Sequence, residues 1–129
     1  MAYGISNYLA NKLLDHTFRN VAYTPPTTVY AKLHTGDPGA NGTANASSVT
    51  TRYATTWAAA ASGSISMSNT PEHTLGATET IASVSFWDSA GPSGGNFLYS
   101  AQAAATKGGA SGDIIRINTN SINFTPLAA

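Results

Sequence analysis

TTVYAKLHTGDPGANG, residues 27–42, decides the fold class. Its first half alternates Val29, Ala31 and Leu33 with Tyr30, Lys32 and His34, the period of two that puts successive side chains on opposite faces of a β-strand. Pro25 and Pro26 stand just ahead and stop any helix from running in. The alternation predicts a strand over 27–34 with one buried face (Val29, Ala31, Leu33) and with His34 on the polar face at the strand end. The second half reads as a turn in which Asp37 accepts backbone hydrogen bonds, Pro38 fixes φ and Gly39 supplies backbone freedom.

The same period recurs along the chain. SVTTRYATTW (48–57) alternates Val49, Thr51, Tyr53, Thr55 and Trp57, and SISMS (64–68) offers Ile65 and Met67. ETIASVSFWD (79–88) sets Ala82, Val84 and Phe86 against Ile81, Ser83, Ser85 and Trp87. The loop SAGPSGG then leads to NFLYSA (96–101), a natural antiparallel partner. DIIRINTN (113–120) and SINFT (121–125) are the last expected strands.

One segment has a helical period instead. In SNYLANKLLDHTFRN (6–20), Leu9, Ala10, Leu13, Leu14 and Phe18, continued by Val21, recur at i, i+3 and i+4, with Ser6 as N-cap and Asn20 able to end the helix in the left-handed conformation. The stripe needs a covering surface, which makes Leu9, Leu13, Leu14 and Phe18, with Tyr3 and Tyr8 beside them, candidates for an assembly contact. The expected fold is mainly β: an antiparallel β-sandwich or partly open barrel with one N-terminal amphipathic α-helix, in a single domain over 1–129 (helix 6–20, sandwich 27–125).

Charged residues make up 9% of the 129, against about a quarter in an average soluble domain. Six basic and six acidic residues cancel, and Lys12, Arg19, Lys32, Arg52, Lys107 and Arg116 are spread singly, so no nucleic-acid partner is expected. No apolar run approaches the roughly 18 residues of a membrane span, and no export signal is visible, so no membrane partner is expected either. The absence of cysteine removes disulfides and thiolate chemistry. A surface with so little charge has little colloidal repulsion and favours association with neighbours.

Candidate chemistry is thin. Gly91-Pro92-Ser93-Gly94-Gly95 matches the spacing of a nucleophile elbow, but a strand rather than a helix follows it, so a hairpin loop is the better reading. A base would have to be His16, His34 or His73; Glu72 and His73 are adjacent in an expected solvated loop, where neighbours point apart. The carboxylates Asp15, Asp37, Glu72, Glu79, Asp88 and Asp113 all fall at element ends, turns or the helix surface. Asp37, Asn41 and Gly42 mimic the start of a calcium loop, but Gly39 and Ser48 stand where further ligands are needed. No catalytic residue, metal or cofactor is expected. Tyr3, Tyr8, Tyr23, Tyr30, Tyr53, Trp57, Trp87 and Tyr99 either fill the core or stack on sugars or a subunit contact.

The order of NYLANKLLDHTF, VYAKLHTGDPGANG, RYA, VSFWDSA, GGNFLYSA and ASGDIIRI with INF resembles small virion structural proteins of tailed bacteriophages over almost the whole chain. Members of that group often carry a strand ending in Leu-His/Phe-Thr-x-Asp-Pro-Gly ahead of Leu-Tyr-Ser and Gly-Asp segments. This chain departs from them in having Arg52 before Tyr53-Ala54 rather than after the alanine, and in a short C-terminal end. The resemblance implies a non-enzymatic virion component with a β-sandwich-like fold, assembled in the bacterial host cytoplasm. The expected role is capsid decoration (cement) on the outer head surface, with the major capsid protein as partner and a homo-oligomer such as a trimer as the binding unit. The alternative is a tail fibre, minor tail or tail-tip component bound to tail proteins and involved in host attachment. A small hydrolase built on His34, Asp37 or Ser93 is the enzymatic alternative.

Overall fold

Three apolar-rich segments, Val29–His34, Glu79–Trp87 and Phe97–Gly109, lie antiparallel at the centre of the molecule. The computed structural model describes residues 3–128. In chain order the elements are β1 (Gly4–Ile5), α1 (Asn7–Phe18), β2 (Val29–His34), β3 (Tyr53–Thr55), β4 (Ser64–Ser66), β5 (Glu72–Thr74), β6 (Glu79–Trp87), β7 (Phe97–Gly109), β8 (Ile114–Arg116) and β9 (Ser121–Asn123). A five-stranded sheet runs β1-β7-β6-β2-β3, and two ribbons, β4-β9 and β5-β8, complete the β structure. All pairings are antiparallel, and no barrel closes among the described residues. The result is mainly β and sandwich-like with one helix at the front, as the alternation implies.

The register explains both faces of the sheet. Ala31 pairs with Phe86, which pairs with Tyr99, and Leu33 pairs with Val84, so one face is apolar. Ile115 and Ile117, from the β8 segment, join Ala31, Leu33, Leu75, Met67 and Phe86 in the core on that side. Trp57 meets Phe86 edge-on at 5.7 Å between ring centres, and Tyr99 lies 6.2 Å from Phe86. Ile81 also belongs to this core, although simple alternation from Ser83 sets it on the opposite face. The register breaks between Ile81 and Ser83, and an irregularity of that kind lets a strand change the face it presents.

The other face carries Lys32, His34, Ser83, Ser85 and Ser100, and all five are buried. His34 therefore does not lie on a solvated polar face: it is 0% exposed, because the loop after β2 folds back across the sheet instead of leading away. That loop is pinned by Thr35 N donating to Asn45 O (2.8 Å), Ser47 N to Leu33 O (3.2 Å) and Ser83 Oγ to Gly36 O (2.5 Å). Serines suit such a face, being small enough for close approach of backbone and able to hydrogen-bond what they bury.

Other boundaries shift for local reasons. The 48–57 segment is strand only over Tyr53–Thr55, with Trp57 bridging to Met67, because Ser47 to Arg52 belong to the covering loop. His73 is on β5 rather than in a solvated loop: it is fully buried, pairs with Ile115 and meets Tyr53 edge-on at 4.5 Å. Its neighbour Glu72 does face solvent, where it pairs with Arg116 at 3.2 Å. The sequence also conceals β1, a two-residue strand that borders β7 through Gly4 and Ser100.

The helix starts where its cap requires. Ser6 Oγ accepts from Leu9 N at 3.1 Å, and Ser6 N donates to Leu98 O at 2.8 Å, which fastens the helix start to β7. It ends with Asn20 at φ +55° and with Arg19 N and Val21 N both donating to Asp15 O. None of its residues is fully buried. Leu9, Ala10 and Leu13 are half-buried, whereas Leu14 is 56% and Phe18 81% exposed.

Candidate functional site

The covered polar face of the sheet leads to a pair of cations, Lys32 and Arg52, that line a cleft. Its foundation is a relay of hydrogen bonds. Trp87 Nε1 donates to Ser85 Oγ at 2.7 Å, and Ser85 Oγ lies 2.7 Å from His34 Nε2. His34 Nδ1 lies 2.8 Å from Ala44 O, a carbonyl that can only accept. The proton of the neutral ring therefore sits on Nδ1, and Ser85 donates to Nε2. Burial, the largest influence, lowers the pKa of His34 and keeps it neutral; the Ala44 carbonyl opposes this and the Lys32 cation adds to it. Every polar atom of the relay is satisfied, and both histidine nitrogens are occupied structurally.

Trp87 carries Arg52 on its ring face, with Cζ 4.0 Å from the ring centre. Arg52 is 5% exposed, and its Nη1 donates to Ser89 O (3.2 Å), Ser89 Oγ (3.1 Å) and Gly94 O (2.9 Å). This anchors the loop between β6 and β7, which Asp88 closes by accepting from Asn96 N (2.7 Å) and Asn96 Nδ2 (2.8 Å). Lys32, 8% exposed on β2, stands near Arg52, and its pKa is lowered first by burial and then by that second cation. Lys32 makes no hydrogen bond or ion pair among the described residues. Lys32 and Arg52 line a cleft of about 440 Å³ together with Ser6 and Tyr8 at the helix start, the Asn41 and Thr43 loop, and Ser93 to Phe97.

Gly42 shows how closely the loop is laid down. Its φ is +73°, and a Cβ there would stand 2.6 Å from the Phe97 ring and 3.0 Å from Trp87. Asp37 accepts from Gly39 N at 2.9 Å, and Pro38 is fully buried, so Asp37, Pro38 and Gly39 form the expected turn. Asp37 and His34 make no contact for chemistry, since each is engaged with backbone elsewhere. Ser93 lies exposed in the strand-to-strand loop, with no histidine or carboxylate bonded to it. No three metal-ligating side chains gather among the described residues.

Of the assembly candidates, Tyr8 borders the cleft, with Lys12 Nζ 5.7 Å from its ring centre, while Leu14 and Phe18 face solvent. Tyr3 is half-buried. Trp87 offers no exposed stacking platform, being 4% exposed beneath Arg52. The meeting of Lys32 with Arg52 is hidden in a sequence where every cation stands alone. The only signal is the row Lys32, Ser85 and Ser100, which pair in register across three strands and mark a face something must cover.

The family described as "Podophage GP4 fiber I protein gp80" matches residues 4–125, from the first strand to the last. The chain belongs to that family. It is a structural protein of a phage virion, and the match takes in both the helix and every strand of the sheet. No curated protein matches the chain. The fibre family lends no support to a decoration role, and the candidate cleft is formed wholly within the matched span.

Proposed function

We propose that this chain is a non-enzymatic subunit of a phage tail fibre, serving attachment to the host, rather than a capsid decoration protein. The observation that carries the reading is the family match to a fibre protein over residues 4–125. It works as a homo-oligomer, such as a trimer, contacting neighbouring tail proteins. Exposed Leu14, Phe18 and Val21 on and just beyond α1 support a contact there, in a chain with little charge to keep copies apart.

Copy number separates the two locations. Quantitative mass spectrometry of purified particles should find about three to a dozen copies, as the low-order symmetry of a tail requires, whereas on the order of hundreds would place the chain on the head and sink the fibre reading. Ser93→Ala should leave particle assembly unchanged; a lost hydrolytic activity with assembly intact would revive the enzymatic alternative.

A further inference from the structure

We propose that the cleft between β2, the loop after it and the β6–β7 loop binds an anionic saccharide unit, a sugar bearing a carboxylate or a phosphate, through Lys32 and Arg52. The inference deepens the attachment reading and rests on it for the source of the sugar, a bacterial surface glycan.

Two of the six basic residues of a nearly uncharged chain converge here, and no carboxylate lines the cleft. Both are more than nine-tenths buried. The Lys32 side chain has no partner among the described residues, and all three hydrogen bonds of Arg52 leave from Nη1, while its Nε is buried without one. Asp88 acts on Arg52 from outside the lining but forms no ion pair with it among the described residues, so the desolvation of two adjacent cations is only partly offset and an anionic ligand relieves it. The start of α1 borders the same space, adding the positive end of the helix dipole. Arg52 is held on Trp87 and by two backbone carbonyls, so its guanidinium is oriented before any ligand arrives.

The rest of the lining chooses among anions. Asn41, Thr43, Ser93 and Asn96 offer amides and hydroxyls that match sugar hydroxyls, and about 440 Å³ holds one or two sugar rings. A nucleic acid needs a track of cations at successive phosphates, which a single pair does not supply. An acidic peptide would use the two cations and leave the polar walls without partners.

The test uses the intact chain and NMR titration with glucuronic acid, glucose 6-phosphate and neutral glucose. Either acid should shift resonances of the 40–43 and 93–97 loops, with glucose at least about tenfold weaker, and the stronger acid tells carboxylate from phosphate recognition. Lys32→Met keeps the aliphatic stem and should weaken the acids about tenfold. Ser93→Trp, on an exposed loop, should block the cleft without touching its floor and abolish binding even if Lys32→Met fails to fold. The proposal is overturned if neither acid binds, if glucose binds equally, if Ser93→Trp leaves binding intact, or if a glutamate-rich peptide binds while the sugars do not. None of these results alters the copy number, so failure here is distinct from failure of the fibre reading.

Discussion

Ser85 holds more of this structure than its size suggests. It accepts from Trp87 Nε1 and donates to His34 Nε2, both buried, so Ser85→Ala leaves a donor and an acceptor without partners in the interior. Each unpaired group costs about 1–3 kcal/mol, and urea unfolding should show the midpoint falling with little change in slope. Gly42→Ala is a second test of the same packing. The added carbon meets the Phe97 and Trp87 rings at a backbone conformation already unfavourable to alanine, so a loss of about 1–3 kcal/mol is expected in the same measurement. A Gly42→Ala protein as stable as the parent would show that the loop does not lie against these rings in solution.

At the scale of elements, α1 divides into a docked half and a free half. Phe18→Ser should change stability by less than about 0.5 kcal/mol, since Phe18 is 81% exposed, yet reduce incorporation into particles if the flank is a contact. Leu13→Asp should lower stability by about 1 kcal/mol, in line with half rather than full burial. The helix, β2 and β6 were legible because each rests on local periodicity: the cap Ser6, the left-handed Asn20 and the Val84 and Phe86 alternation all appear where the chain implies them. β7 was legible only over 96–101, because the alanine-rich run that carries it on to Gly109 has no alternation of its own. What was not legible depends on segments crossing one another. The 27–34 alternation reveals two faces but not that a loop covers the second, and so His34 reads as exposed. His73 is hidden for the same reason, in a three-residue strand stabilised by β8, forty residues on, rather than by its own pattern. The cleft is still less visible, because Lys32 and Arg52 meet only after the loop has closed over Ser85.

Across the whole molecule, polar burial outweighs charge. Two ion pairs occur among the described residues, Asp15–Arg19 and Glu72–Arg116, and both are exposed, so raising salt from about 0.1 to 1 M should move stability by no more than about 1 kcal/mol through them. Acid acts differently. His34 and His73 both have pKa values lowered, chiefly by burial, so the unfolded chain binds protons that the folded chain refuses. Their contribution is complete above the ordinary histidine pKa of about 6.5 and is lost as pH falls from there toward the folded values. Glu79 adds a lower step: burial alone would raise its pKa, but hydrogen bonds from Ser47 and Ser48 outweigh that and lower it, so its share disappears below the usual carboxylate range. Thermal midpoints should therefore drop between pH 7 and pH 5, and again below about pH 4.5. A flat profile from pH 7 to 5 would mean that the histidines are accessible to water.

The covered face also separates two kinds of position. Lys32, Arg52, Trp87 and Ser85 belong to the buried scaffold, and changing them disturbs the sheet, whereas Asn41, Thr43 and Ser93 sit on exposed loop tips that the sheet does not need. Substitutions at those tips are nearly free of folding cost, so under the proposed saccharide-binding role the loops can change while the architecture stays fixed.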